Sequence, residues 1–74
     1  MKLLELARLS AKTRSIQQIA KKFNVTVSVV QANEDIGATH EREHTKNDNL
    51  AREIARDHLW EDLYYYQKLA KIED

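Results

Sequence analysis

An all-α domain of three to four helices is the fold that this sequence predicts, and three observations predict it. The chain of 74 residues contains one glycine and no proline, which leaves few residues for the turns that an all-β fold requires. Charged residues make up 32% of it, and most are Lys, Glu and Arg, which favour helices. Apolar residues recur at helical spacing through most of the chain. The length permits one small domain.

We divide this domain, residues 1–74, into three parts. Residues 1–14 hold an N-terminal helix over residues 3–11 and a polar break. Residues 15–37 hold a pair of helices that resembles a helix-turn-helix. Residues 38–74 hold a loop rich in His and Glu and a long C-terminal helix, on which the front half packs.

The first helix of the pair begins at a capping box. Ser15 and Gln18 are three residues apart, so each side chain can bond to the backbone of the other. Ile16 to Phe23 then gives one apolar stripe, and Asn24 is a suitable left-handed stop.

The second helix is predicted from Thr26 or Ser28, either of which can cap it, to Gly37. Its valines would also suit a strand, but the neighbouring sequence offers no second strand to pair with. Gly37 is the only glycine and is the expected residue just after a helix end.

The main helix follows a polar loop, Ala38 to Lys46, and is capped by Thr45 or Asn47. Two adjacent apolar rows predict a wide buried stripe: Leu50, Ile54 and His58 in one, and Ala51, Ala55, Leu59 and Leu63 in the other. Asp48 and Arg52 are spaced to pair. The pattern runs to about Lys71, or breaks where Asp62 caps a separate last helix.

Composition excludes several classes of protein. Without cysteine there is no disulfide framework and no thiolate zinc site. No apolar run approaches membrane-spanning length, so we expect an intracellular protein without a membrane partner and without a cofactor.

The charged residues are unevenly distributed along the chain, although the formal net charge is zero. Residues 1–33 carry six basic residues and one acidic residue, whereas residues 34–74 carry six basic and eleven acidic residues. The difference of +5 against −5 fits two halves that dock on each other, a head-to-tail dimer, or a basic binding face.

His40 to His44 spell H-E-x-x-H, the zinc-binding motif of many metalloproteases. The motif needs a long buried helix, a third ligand and a cleft, and here it has polar flanks in a short chain. We interpret it as a chance match and expect no enzyme activity.

A second set of polar residues consists of His44, His58, Asp62 and Glu43. His58 shares a helix stripe with Ile54, and Asp62 lies one turn on, where it can orient the imidazole ring. We favour a structural polar cluster, in which an inward histidine is satisfied by hydrogen bonds. A divalent metal at His44 and His58 is the less favoured alternative.

DNA binding is the alternative for the front half. The helix-turn-helix pattern is carried by Ile19, Ala20, Asn24, Val25, Thr26 and Val30, and the contacts would come from Arg14, Lys21, Lys22, Ser28 and Gln31. The second helix has no Arg or Lys, and Asn33 replaces an expected apolar residue. It contains Glu34 and Asp35, which would repel phosphates.

Aromatic residues gather near the C-terminus. Three consecutive tyrosines point in three directions on a helix, so at least one is exposed. We expect Tyr66 to face inward with Leu63. Trp60, Tyr64 and Tyr65 are the candidates for contact with a partner, since Trp and Tyr are frequent interface anchors.

The C-terminal half resembles a family of small domains of unknown function from bacteriophages and bacteria. Its signature is G-x-x-x-E-x-E-H-T, an acidic spacer, then A-x-x-I-A-x-D-H-L-x-E-D-P-x-Y-Y-x-K-L. The matching residues are Gly37, Glu41, Glu43, His44, Thr45, Asp48, Ala51, Ile54, Ala55, Asp57, His58, Leu59, Glu61, Asp62, Tyr65, Tyr66, Lys68 and Leu69. Leu63 stands where the family has proline, which puts the helix break there in question.

The resemblance covers most of residues 16–72 and implies a compact helical phage domain, found alone or beside head or virion proteins. We therefore expect a non-enzymatic, virion- or head-associated interaction module. Its partner would be a phage structural protein or a second copy of itself, in the host cytoplasm or the virion.

Overall fold

The protein is all-α, as the sequence predicts. A computed structural model describes residues 13–73, which form four helices and no strand: α1 (Ile16–Phe23), α2 (Val27–Glu41), α3 (Asp48–Glu61) and α4 (Tyr65–Glu73). The helix predicted over residues 3–11 lies outside the described residues. No helix within residues 13–73 is long and apolar enough to cross a membrane.

The start and end of α1 confirm the local sequence signals. Ser15 N–H donates to Gln18 Oε1 at 2.8 Å, and Gln18 N–H donates to Ser15 Oγ at 3.1 Å, which completes the capping box. Asn24 adopts the left-handed conformation, with φ 56° and ψ 49°. Thr26, and not Ser28, caps α2, because its hydroxyl accepts from Val29 N–H at 3.3 Å.

Gly37 does not end α2, contrary to the prediction. The helix continues to Glu41, and Gly37 is buried in its interior without a positive φ. A Cβ atom at this position would lie 2.8 Å from Ala55 Cβ and 2.9 Å from Tyr66 Cδ2. The glycine is therefore required by close approach of α3 and α4, and the predicted loop begins only after Glu41.

Of the two alternatives for the C-terminal helix, the break at Asp62 is confirmed, because the segment forms two helices, α3 and α4. Asn47 Oδ1 caps α3 by accepting from Leu50 N–H at 3.0 Å. At the other end Asp62 is extended, with φ −154° and ψ 105°. Its carboxylate accepts from Tyr64 N–H at 3.1 Å. The break between α3 and α4 is thus made at an aspartate whose side chain bonds to the backbone two residues on.

The core lies where all four helices meet. It contains Ile19, Ala20, Val30, Ala55, Leu59, Leu63 and Tyr66. The predicted inward positions of Leu63 and Tyr66 are confirmed, with 2% and 4% exposure. Of the two predicted apolar rows, only the one with Ala51, Ala55 and Leu59 is fully buried. Leu50 of the other row is exposed, and within residues 13–73 the helices that pack on α3 are α2 and α1.

Candidate functional site

A cluster of arginines surrounds a buried carboxylate where α2 meets α3. Glu34 is 3% exposed. Its Oε1 accepts from Arg52 Nη1 at 2.9 Å, and its Oε2 accepts from Arg56 Nη1 at 2.6 Å. Gln31 Nε2 adds a third donor at 2.8 Å. These bonds replace the water that the carboxylate loses on burial.

The cluster continues to the surface through Arg52. This guanidinium also reaches Asp35 at 2.9 Å and Asp48 at 3.2 Å, and Arg42 pairs with Asp48 as well. The Arg52 bond holds the pKa of Asp35 below its usual value, and the bonds from Arg42 and Arg52 lower the pKa of Asp48. The predicted Asp48–Arg52 pair is confirmed.

The role expected for Glu34 and Asp35, repulsion of phosphates, needs correction. Both carboxylates neutralise arginines of α3, so the cluster is balanced internally. The amide of Gln31, a candidate DNA contact, is occupied by the same two carboxylates, whereas Ser28 remains exposed.

A second buried carboxylate joins α2 to α4. Tyr66 Oη donates to Glu41 Oε2 at 2.7 Å, and the residues are 4% and 8% exposed. Burial, together with the bond to Glu41, raises the pKa of Tyr66 well above its usual value. The phenol therefore keeps its proton and serves as a fixed donor.

Two histidines, His40 and His58, lie beside the Tyr66 ring, and His44 lies beside His40. The ring of His40 is 5.5 Å from that of Tyr66, and the ring of His44 is 6.3 Å from that of His40. His58 stacks on Tyr65 at 4.3 Å with an interplanar angle of 4°. The sequence does not predict that His40 and His58 flank Tyr66.

The predicted polar cluster of His44, His58, Asp62 and Glu43 does not form as expected. The carboxylate facing His58 is Glu41, with His58 Nε2 3.9 Å from Glu41 Oε2. Asp62 is engaged instead by Tyr64 N–H and by Lys68 Nζ at 2.9 Å, which lowers its pKa. Glu43 and His44 are exposed.

The H-E-x-x-H residues do not share one helix. His40 and Glu41 belong to the last turn of α2, whereas His44 follows its end. Within residues 13–73, no group of three or more His, Cys, Asp or Glu side chains is placed so that it could hold a metal ion. Glu41 is committed to Tyr66.

The aromatic residues near the α3–α4 break differ in exposure. Tyr64 is 48% exposed, whereas Trp60 and Tyr65 are half-buried against the core. Arg14 Cζ lies 4.6 Å from the centre of the Trp60 ring, and Lys22 Nζ lies 4.3 Å from it. Lys22 also donates to the Trp60 carbonyl. Two cations thus flank the indole, and this contact joins the basic front half to the end of α3.

Two buried polar contacts were missed at the sequence level. Asn33, which stands where an apolar residue is expected, is 5% exposed. Its amide donates to Val29 O at 2.8 Å and accepts from Gln67 Nε2 at 2.5 Å. The other is Glu34, whose burial is suggested only by its spacing of seven residues from Glu41, which puts both on one helix face.

Comparisons with known proteins identify a family without an assigned activity. A family model described as "Protein of unknown function (DUF5661)" matches residues 16–74. No curated protein and no solved structure matches the chain. The matched span contains all four helices, both buried carboxylates and the break between α3 and α4. Because this family model matches well over half of the sequence, the chain belongs to the DUF5661 family of proteins of unknown function.

Proposed function

We propose that this protein is a non-enzymatic protein-interaction module of a bacteriophage, associated with the virion or head. The observation that carries the proposal is the exposed aromatic residue at the α3–α4 break. Tyr64 is 48% exposed beside the half-buried Trp60. Tyr and Trp are the residues that most often anchor protein interfaces.

The backbone under Tyr64 is held in place, which favours binding. Asp62 accepts from Tyr64 N–H and from Lys68 Nζ, and Tyr64 O accepts from Lys68 N–H at 3.1 Å. Leu63, next to it, is buried in the core. A side chain on such a support loses less conformational freedom when it binds.

The phage setting of the proposal rests on the resemblance of residues 16–72 to domains found beside head and virion proteins. The partner would be a phage structural protein, and the protein would act in the virion or in the host cytoplasm. A few residues in the desolvated centre of a protein interface supply most of its binding energy.

The proposal is tested by adding full-length protein to purified virions and measuring co-sedimentation. Tyr64→Ala should raise the Kd for virions, measured by titrating the protein, about tenfold, since a central aromatic anchor contributes about 1–2 kcal/mol. Ile72→Ala is the matched control, because Ile72 is an apolar residue with 82% exposure at the far end of α4. Equal binding of both variants, or no binding of the unchanged protein, would contradict the proposal.

DNA binding remains the second candidate, because residues 13–33 contain no acidic residue and Lys21 and Lys22 are exposed on α1. A gel-shift series at two salt concentrations tests it. Phosphate contacts predict a steep loss of affinity with salt, and Lys21→Ala should reduce that slope. A flat salt response, or no shift, would reject this candidate.

A further inference from the structure

One side of α3 carries three acidic residues in a row. Glu53, Asp57 and Glu61 follow one another at intervals of four residues, which places them on the same side of the helix. We call these three residues the acidic row. None of them makes an ion pair with the part of the chain that the structure describes. Like charges at this spacing destabilise a helix, so a cationic partner beside the row would stabilise α3.

Two apolar side chains lie next to the acidic row. Leu50 is 43% exposed, and Ile54, one turn further on, is half-buried. Ala51 and Ala55, which point to the other side of α3, are fully buried. The side of α3 with the acidic row thus offers apolar contact and negative charge together, and this combination suits an amphipathic helix with basic residues.

The N-terminal segment, by which we mean residues 2–12, has the complementary composition. It contains four leucines, and its three basic residues outnumber its one acidic residue, Glu5. The basic residues are Lys2, Arg8 and Lys12. Leu3 and Leu6 have the spacing of one helix face, and the sequence predicts a helix over residues 3–11.

The contacts of Arg14 bring the end of this segment close to the acidic row. Arg14 O accepts from Arg56 Nε at 3.0 Å, and Arg14 Cζ lies 4.6 Å from the centre of the Trp60 ring. The chain therefore lies against α3 at residue 14, beside Asp57. A helix over residues 3–11 would be about 14 Å long, and the stretch of α3 from Leu50 to Glu61 is about 16 Å long, so the two lengths match.

We propose that the N-terminal segment packs along this side of α3 in the same chain. Its leucines would contact Leu50 and Ile54, and its basic residues would pair with the acidic row. Because Arg14 fixes one end, the segment runs parallel to α3, with Leu3 near Leu50 and Lys12 near Asp57. Attachment through residue 13 gives the segment a higher effective concentration at this surface than a separate partner has.

Disulfide trapping tests this arrangement in the full-length protein, which has no cysteine of its own. Leu3→Cys combined with Leu50→Cys should form an intramolecular disulfide under mild oxidation. Leu3→Cys combined with Ile36→Cys is the matched control, because Ile36 is 48% exposed and lies on the side of α2 opposite to Glu34. The first pair should close at least about tenfold faster than the control, since packing raises the effective concentration of its two thiols.

Charge reversal tests the proposed ion pairs. Glu53→Lys with Asp57→Lys, added to the first cysteine pair, should slow disulfide formation about fivefold, because like charges then face each other. Arg8→Glu with Lys12→Glu in the same protein should restore the rate. Glu43→Lys, which reverses an exposed carboxylate outside the acidic row, is the matched control and should leave the rate unchanged. Circular dichroism verifies that each variant is folded.

The inference is overturned if the two cysteine pairs close at the same rate, or if the rate does not respond to charge reversal and its compensation. A covalent dimer whose yield rises with protein concentration would place the segment of a second copy on α3, and would also overturn it. Tyr64 takes no part in this contact, so the co-sedimentation with virions is decided separately.

Discussion

Glu34 and Glu41 lie two turns apart on one face of α2, and both are nearly buried, with 3% and 8% exposure. Glu34 is balanced by the cations Arg52 and Arg56, whereas Glu41 is held by the neutral hydroxyl of Tyr66. The first arrangement fixes α2 to α3, and the second fixes α2 to α4. The same residue type at equivalent helix positions thus joins different helices, and the partner determines how each junction responds to mutation and pH.

Removal of both cations at the first junction should have the largest effect. Arg52→Met with Arg56→Met leaves Glu34 buried without a charge partner, which costs about 3–5 kcal/mol in the free energy of unfolding. Urea denaturation measures the loss. Adding Glu34→Leu should recover most of it, because the buried charge is then gone; no recovery would mean that Glu34 is solvated in the folded state.

Addition of a side chain at Gly37, which lies on α2 between Glu34 and Glu41, should have the next largest effect on the free energy of unfolding. Gly37→Ala places a Cβ atom 2.8 Å from that of Ala55, and the overpacking should cost about 1–3 kcal/mol despite the better helix propensity of alanine. Ala32→Gly, at an exposed position of the same helix, measures the propensity alone and should cost roughly 1 kcal/mol. A more stable Gly37→Ala protein would contradict the close approach of α4.

A mutation at the Glu41–Tyr66 junction should destabilise the protein less than loss of the two arginines does. Tyr66→Phe removes the hydroxyl and leaves the Glu41 carboxylate without its donor, at a cost of roughly 1–2 kcal/mol. Thermal or urea unfolding at pH 7 measures this. A loss as large as that of the double arginine variant would show that the two junctions do not differ in the predicted way.

The stability that the Glu41–Tyr66 junction contributes should decline at alkaline pH. The pKa of Tyr66 is raised above its usual value of 10.0, so its contribution is fully present below about pH 10 and declines as the pH rises above that value. The unchanged protein should lose stability above pH 10 more steeply than Tyr66→Phe does. Parallel pH profiles for the two proteins would contradict a buried, protonated phenol.

The smallest effect is expected at the solvent-exposed edge of the arginine cluster. Arg52 lowers the pKa of Asp35 from its usual 3.8, so this pair contributes above that pH and its contribution declines as the pH falls through and below it. Asp35→Asn should therefore flatten the acid limb of the stability profile slightly, with little change at pH 7. Acid titration followed by circular dichroism measures it. An acid limb identical to that of the unchanged protein would show that Asp35 is screened from Arg52.

Local signals predicted much of this fold. The Ser15 box, the left-handed Asn24 and the Asn47 cap depend only on residues within one turn, so the sequence contains all the information they require. The inward direction of Tyr66 follows from helical spacing in the same way.

The predictions that failed depend on contacts between distant segments. A glycine serves equally as a helix stop or as a point of close approach, and only the position of Tyr66 and Ala55 decides which use applies to Gly37. Likewise, the local sequence around Glu34 is typical of a surface acid, and its burial depends on its ion pairs with Arg52 and Arg56 of α3. Helical periodicity gives the direction of a side chain within its helix but not the identity of the helix it meets.

The contact between Gly37 and Tyr66 has a consequence for how relatives of this protein vary. The tyrosine ring occupies the volume that any side chain at position 37 would need. A larger residue at position 37 therefore requires a smaller residue at position 66, and Ala55, whose Cβ would lie 2.8 Å from the new one, would also have to shift. A relative with alanine or serine at the first should carry a smaller residue than tyrosine at the second, and would have to supply Glu41 with a different donor.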